Sequence, residues 1–179
     1  MVKKIVTYGD NRYLKSRKRL INEVKSLNLF DEYYDECKNI INDNEFKEAL
    51  KNENFKTVFN KKRGGGYWIW KPYVIYKNLL KLNENDILVY TDAGSMIYKK
   101  KSKSIDRFNY LFNFVNNNEK GLIAINQKYI ESKWTKGDIF DYFNFRDNKS
   151  IYNSTQYAAG AVHVIRKCDF SMKFYKEWW

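Results

Sequence analysis

The segment ILVYTDAGS, residues 87–95, places an acidic residue directly after a run of apolar and aromatic residues. Such a run predicts a buried strand whose carboxyl end lies at the rim of a sheet, where open α/β sheets bind their ligands. Asp92, followed by the small residues Ala93 and Gly94, leaves room there for a phosphate-bound metal ion. The alternative is that Asp92 only caps the following turn, and the segment alone favours neither interpretation.

A second segment, KKRGGGYWIWKP at residues 61–72, combines three consecutive glycines with cations and aromatic residues. Glycines allow a backbone to approach a ligand closely, and neighbouring cations suit phosphate groups. The cations are Lys61, Lys62, Arg63 and Lys71. The segment has neither the GK[ST] ending of a P-loop nor the GxGxxG spacing of a dinucleotide-binding loop. Its alternative interpretation is a flexible loop before a helix that Trp68 and Trp70 pack.

The chain of 179 residues carries 33 Lys and Arg against 21 Asp and Glu, a net charge of +12. This charge indicates an anionic partner, and nucleic acid, nucleotide phosphates and an anionic membrane surface all qualify. Cys37 and Cys168 form no CxxC pair, which argues against a disulfide scaffold or a zinc site and favours a reducing compartment. With neither a secretory signal nor a membrane-spanning apolar run, the sequence predicts a soluble cytoplasmic protein.

Strands alternate with helices along the chain, which predicts an α/β fold with a mostly parallel central sheet and helices on both faces. Strands are expected at residues 5–8, 55–59, 86–90, 121–125 and 158–165, and helices at 13–26, 42–51, 72–83, 104–116, 135–145 and 169–179. Asn42, Ser104 and Thr135 are expected at the starts of their helices, as caps. No repeat and no Pro/Gly/Ser-rich linker divides the chain, so a single domain over residues 1–179 is expected.

The stretch RGGGYWIWKPYVIYKNLLKLNENDILVYTDAGS resembles a family of glycosyltransferases with the GT-A fold, which has a GYWxWKP block, a helix and then DxxxYxDAG. Further similar blocks follow the family's order: VTYGDNRY near the start, KWTKGDIF at 133–140, QYAAGAVHVIRK at 156–167 and the final EWW. The central block is specific and the two ends are weaker. Such enzymes occur in bacterial surface-polysaccharide clusters and in large DNA viruses that glycosylate their capsids; a viral member would act in the host cytoplasm.

The resemblance implies a single Rossmann-like GT-A domain that transfers a hexosyl or deoxyhexosyl group from a nucleotide-diphosphosugar, with UDP-sugar as the expected donor class, to a glycan or glycoprotein. Asp92 would stand in for the first acid of the DxD motif, contacting the ribose and a divalent metal, Mn²⁺ or Mg²⁺. Gly94 occupies the place of the second acid, so one metal ligand is lost. Lys71 and Arg63 are alternative partners for the diphosphate.

The candidate nucleotide- and donor-binding residues are Thr7, Tyr8, Asp10, Arg63, Trp70, Lys71, Thr91, Asp92, Ala93, Gly94, Gln156 and Gly160. By the resemblance, Thr7 and Tyr8 would hold the base and the ribose. Gln156 and the small residues that end at Gly160 would line the sugar pocket, although packing explains small residues there equally well. The tryptophans of the glycine-rich segment are expected to be core residues more often than ligand contacts.

Asp138 in KWTKGDIF is the second candidate catalytic residue beside Asp92. By the resemblance it would contact the donor sugar or act as the base on the acceptor hydroxyl, which requires a carboxylate within hydrogen-bond reach. The alternative is structural, because Thr135-x-x-Asp138 has the spacing of a capping box and needs no substrate. His163, the only histidine, lies in an apolar stretch and is expected to be packed.

Two further interpretations stay open. Members of the family usually continue past the Trp-bearing helix, so the chain is expected to be either truncated beyond Trp179 or a minimal version, and such a domain could bind its donor without turnover. A different class is a non-catalytic basic α/β module that binds nucleic acid or nucleotide. Because Lys and Arg are spread along the chain and no nucleic-acid-binding motif is present, nucleic acid is the less favoured partner.

Overall fold

The computed structural model describes residues 1–36, 39–97, 101–123, 125–126, 128–156 and 160–179. The chain forms two compact units, one of Met1–Ile123 with Val162–Trp179 and one of Ala124–Ala161. The expectation of a single domain over residues 1–179 stays a prediction. Within the described ranges, no helix combines the length and the apolar character needed to cross a membrane.

Five strands form one sheet in the first unit, in the order β2-β1-β3-β5-β4. They are β1 (Lys3–Tyr8), β2 (Glu32–Glu36), β3 (Ile87–Thr91), β4 (Leu122–Ile123) and β5 (Val162–Arg166). β1 pairs in parallel with both β2 and β3, whereas β5 runs antiparallel to β3 and to β4. Four of these strands therefore point the same way, which confirms the predicted α/β fold with a mostly parallel sheet.

Helices account for most of the remaining described residues. They are α1 (Leu14–Lys25), α2 (Asn39–Asn42), α3 (Asn44–Ala49), α4 (Glu53–Phe59), α5 (Gly64–Tyr67), α6 (Trp70–Leu80), α7 (Lys101–Asn116), α8 (Glu131–Trp134), α9 (Gly137–Tyr142), α10 (Lys149–Tyr152) and α11 (Asp169–Trp178). A short 3₁₀ turn, Asn11–Tyr13, leads from β1 into α1. The second unit contains α8 to α10.

Helices cover both faces of the sheet, as predicted. Side chains alternate between the faces with the period of two that strands impose. Val6 and Leu88 pack with residues of α3, α6 and α11 in one core cluster. Ile5 and Val89, their neighbours along the same strands, pack with residues of α1 and α7 in the other.

Residues 55–59 are part of helix α4, so the prediction of a strand there is wrong. The Asn52 side chain caps the helix, accepting hydrogen bonds from the backbone N–H groups of Asn54 and Phe55 at 3.0 and 3.1 Å. Phe55 and Phe59 are four residues apart and therefore share one side of a helix, where both rings pack against Phe46. The apolar spacing in this segment has the helical period.

Two predicted caps also differ from the structure. Asp43, not Asn42, caps α3, with its carboxylate accepting from the backbone N–H of Glu45 at 3.0 Å. Ser104 lies inside α7 and is buried. Lys99 and Lys100, directly before this helix, are outside the described residues. The difference at α3 is one residue, an amount by which helix ends commonly shift.

We expect Phe46→Ala to lower the free energy of unfolding by about 3–5 kcal/mol, the usual cost of removing a buried aromatic ring. Phe46 is fully buried and its ring lies 5.0 Å from that of Tyr73 and 5.7 Å from that of Trp179. Urea denaturation followed by circular dichroism measures the change. Phe114→Ala is the matched control, because Phe114 is 44% exposed. Equal losses in the two variants would contradict the assignment of Phe46 to the core.

Candidate functional site

A cavity of about 570 Å³ opens in the first unit where β1 and β3 end. Tyr8 and Asp10 line it from the end of β1, and Asp92, Ala93 and Gly94 line it from the end of β3. The chain leaves β1 for β2 on one side and returns to β3 on the other side. The cavity therefore lies at the topological switch point of the sheet, the position at which open α/β sheets bind ligands.

Asp92 is held by two side chains at the rim of this cavity. The Tyr90 hydroxyl donates to Asp92 Oδ1 at 2.6 Å, and Lys71 Nζ lies 3.1 Å from Oδ1 and 3.4 Å from Oδ2. Lys71 is 4% exposed and Tyr90 is fully buried, whereas 32% of the Asp92 side chain is exposed. Burial, together with the nearby Asp92 carboxylate, raises the pKa of Tyr90 far above its ordinary value, so the phenol keeps its proton and remains a donor.

The glycine-rich segment forms one turn of left-handed helix, α5, beside the cavity. The φ angles of Gly64, Gly65 and Gly66 are 59°, 55° and 94°, and those of Tyr67 and Trp68 are 50° and 59°. The last two lack the freedom of glycine, and this conformation costs an L-residue about 1–2 kcal/mol. Five consecutive residues with positive φ define the backbone here, so the segment has a specific conformation in place of a flexible loop.

The turn is supported by the tryptophan that follows it. The Trp70 indole N–H donates to the Gly64 carbonyl at 3.1 Å, and its ring packs against Tyr8 with 4.2 Å between centroids. Trp70 and Tyr8 are both buried, whereas Trp68 and Tyr13 are 45% and 48% exposed. The exposed rings of Trp68 and Tyr13 also line the cavity and offer faces on which a planar group can stack.

Sequence reasoning missed the contribution of the 3₁₀ turn after β1. Arg12 and Tyr13 from this turn line the cavity. The Arg12 guanidinium donates to Asp10 from Nε at 2.9 Å and from Nη2 at 2.5 Å. This hydrogen bonding lowers the pKa of Asp10. The quoted block VTYGDNRY contained both residues, but only the tertiary structure shows that they face the site.

Four predicted binding residues of the first unit do not line the cavity: Thr7, Arg63, Lys71 and Thr91. Thr7 and Thr91 are buried within their strands, at 0% and 5% exposure. Arg63 is exposed but is not among the residues that form the cavity wall. By contrast, Lys61 and Lys62, the cations before it, do line the cavity. Lys71 contributes from behind the wall, through its ion pair with Asp92.

The expected Mn²⁺ or Mg²⁺ stays a prediction, and the donor set fits it poorly. In the part of the chain that the structure describes, no three His, Cys, Asp or Glu side chains lie close enough together to hold a metal ion. Asp92 and Asp10 are each paired with a cation. A metal bound to Asp92 at about 2.1 Å would lie within roughly 5.5 Å of Lys71 Nζ, given the 3.1 and 3.4 Å that separate the two side chains.

The predicted catalytic residue Asp138 belongs to the second unit. It is exposed and paired with Lys136 at 2.5 Å, and this hydrogen bond lowers the pKa of Asp138. The capping box predicted from Thr135 is not formed, because Lys136 is the N-cap residue of α9. Thr135 instead hydrogen-bonds to the Glu131 carboxylate, and its hydroxyl accepts from Gln156 Nε2 at 3.2 Å. The substrate roles of Asp138 and Gln156 stay predictions.

The candidate Gly160 and the packed residue His163 are three positions apart in the chain, before and within β5. Gly160 belongs to the second unit and is buried, while its predicted neighbours Ala158 and Ala159 are outside the described residues. His163 lies in β5 and is 3% exposed. Its Nδ1 shares a hydrogen bond of 2.9 Å with the Tyr175 hydroxyl. This environment agrees with the expectation that His163 is a packed residue.

No protein-family model, curated protein or solved structure matches this chain. The resemblance to GT-A glycosyltransferases therefore rests on the sequence blocks alone and stays a prediction. The functional interpretation is carried by the cavity and by the residues that surround it.

We expect Gly66→Ala to lower the free energy of unfolding by about 1–3 kcal/mol. A Cβ at position 66 would lie 2.7 Å from backbone atoms of Phe59, and the φ of +94° disfavours any L side chain. Gly94→Ala is the matched control and should change stability by less than about 0.5 kcal/mol, since a Cβ there meets nothing within 4 Å. Urea denaturation of both variants tests the pair. A Gly66→Ala protein as stable as the wild type would contradict the left-handed turn.

Proposed function

We propose that this protein is a sugar-nucleotide-dependent glycosyltransferase whose donor binds in the cavity at the ends of β1 and β3. The observation that carries the proposal is the coincidence of that cavity with the topological switch point of the sheet, with Asp92 at its rim. The sequence blocks add the class of donor, a nucleotide-diphosphosugar, with UDP-sugar favoured. A volume of about 570 Å³ lies within the range usual for small-molecule sites.

The cavity wall offers a partner for each part of such a donor. The exposed faces of Trp68 and Tyr13 suit a base or a sugar ring. The ammonium groups of Lys61 and Lys62 suit the phosphates. The exposed part of the Asp92 carboxylate can accept hydrogen bonds from ribose or sugar hydroxyls.

The position of Gly94 also favours a ligand that approaches the backbone closely. A Cβ built at this residue meets nothing within 4 Å, and its φ is one that any residue can adopt. The fold therefore does not require glycine at this position. Because Gly94 lines the cavity, the absence of a side chain keeps open the space in which we place the donor.

In the proposed reaction an oxygen of the acceptor hydroxyl forms a bond to the anomeric carbon of the donor sugar. The bond from that carbon to the diphosphate breaks, and its electron pair leaves with the diphosphate. Fixed cations beside the leaving group stabilise the charge that develops on it. The hydroxyl proton passes to a base, a role that the resemblance alone gives to Asp138. Its hydrogen bond with Lys136 lowers the pKa of Asp138, which weakens the carboxylate as a base.

We expect Asp92→Asn to weaken binding of the preferred nucleotide-sugar by about tenfold, because a charged acceptor is replaced by a neutral amide. Isothermal titration calorimetry with a panel of UDP- and GDP-sugars measures this. Asp106→Asn, at an exposed position of α7, is the matched control. Asp92→Asn removes the carboxylate that pairs with the buried Lys71. Circular dichroism must therefore first show that the Asp92→Asn variant is folded. Unchanged affinity in folded Asp92→Asn would contradict its assigned role.

We expect Gly94→Leu to fold with wild-type stability and to lose at least about tenfold in nucleotide-sugar affinity, because the new side chain fills space meant for the ligand. A urea denaturation curve tests the stability of the variant, and the same calorimetric panel tests its affinity for nucleotide-sugars. If Gly94→Leu bound the nucleotide-sugar with wild-type affinity, the donor would not bind beside Gly94. If the wild type binds no nucleotide-sugar but binds oligonucleotides with strong salt dependence, the nucleic-acid module replaces this proposal.

A further inference from the structure

Both acidic residues at the rim of the cavity already have a cationic partner. The Lys71 ammonium lies 3.1 Å from Asp92 Oδ1. The Arg12 guanidinium donates twice to Asp10 Oδ2, at 2.9 and 2.5 Å. Each pair is electrically neutral as a whole. Neither carboxylate therefore supplies the uncompensated negative charge that would draw a divalent cation into the cavity.

Two other cations of the cavity wall keep their charge uncompensated. The side chains of Lys61 and Lys62 are exposed, and neither forms an ion pair with a residue that the structure describes. The carboxylates of Asp10 and Asp92 neutralise Arg12 and Lys71, so the charges of Lys61 and Lys62 leave an excess of two positive charges around the cavity. A nucleotide-diphosphosugar carries about two negative charges on its phosphates at neutral pH. The excess charge of the wall and the charge of such a ligand are therefore matched.

The left-handed turn fixes the backbone from which these two lysines extend. The Lys61 carbonyl accepts from the backbone N–H of Gly66 at 2.7 Å, and the Lys62 carbonyl accepts from that of Gly65 at 3.2 Å. Because the glycines that follow turn back and donate to these two carbonyl groups, the Lys61 and Lys62 side chains leave the backbone at the cavity wall. The backbone geometry therefore places two cationic side chains beside the proposed ligand site.

We propose that Lys61 and Lys62 bind the diphosphate of the ligand directly, with no divalent cation held by the protein. This inference rests on the proposed donor site. Asp92 is then an acceptor for ligand hydroxyls, oriented by Tyr90 and Lys71, and is not a metal ligand. The arrangement differs from the Mn²⁺ or Mg²⁺ site that the sequence blocks imply.

The test is calorimetric titration of UDP and GDP into the full chain, once with EDTA and once with Mn²⁺, over a range of NaCl concentrations. For the nucleotide that binds, we expect dissociation constants that agree within about twofold in the two buffers. The double variant Lys61→Gln/Lys62→Gln should weaken binding about tenfold and depend less on NaCl. Lys173→Gln/Lys176→Gln on α11 removes the same charge at exposed positions away from the cavity and should bind like the wild type.

The outcomes separate this inference from the function on which it rests. A wild-type protein that binds only when Mn²⁺ is present would overturn metal-free binding and leave the donor site standing. Equal weakening in the two double variants would also overturn it, because the effect would then come from net charge alone. A wild-type protein that binds neither nucleotide in either buffer would overturn the donor site, and this inference with it.

Discussion

The ion pair between Lys71 and Asp92 is the contact on which the geometry of the site depends. Lys71 is almost wholly buried at the start of α6, and a buried ammonium group is stable only beside an opposite charge. Asp92 supplies that charge from the end of β3, at 3.1 Å. The pair therefore fixes the start of the helix to the rim of the sheet. Because the left-handed turn directly precedes this helix, its position beside the cavity follows from the same contact.

The turn itself is costly, and the surrounding aromatic residues keep it in place. Tyr67 and Trp68 adopt a left-handed conformation that is unfavourable for side chains with a Cβ. The indole of Trp70 offsets part of this cost by donating to the Gly64 carbonyl while its ring packs on Tyr8. Trp70 and Trp68 thus have different roles within one short block, since the first is buried support and the second is an exposed face at the cavity.

The topological switch point requires β2 to pair with the edge of β1 that faces away from β3. Charged side chains hold β2 in this position. Arg17 of α1 is buried and forms an ion pair with Asp35 of β2. Lys4 of β1 lies 3.6 Å above the ring of Tyr34 and 3.8 Å from Glu32. Burial lowers the pKa of Lys4, in opposition to the acids beside it. An edge strand that is fixed by polar contacts lacks the apolar alternation by which strands are usually predicted. The sequence pattern therefore did not predict β2.

Apolar periodicity in the sequence was enough to predict β1, β3, α1, α6 and α11, and the place of Asp92 at the end of a strand. These features are local, because each depends on the spacing of residues within one element. Only the tertiary structure decided that Asp92 pairs with Lys71, that residues 64–68 turn left-handed, and that Arg12 faces the cavity. The ion pair joins residues that are 21 positions apart in the chain, and the indole that supports the left-handed turn packs on Tyr8, from a distant strand. The spacing of apolar residues within one element carries no information about such contacts.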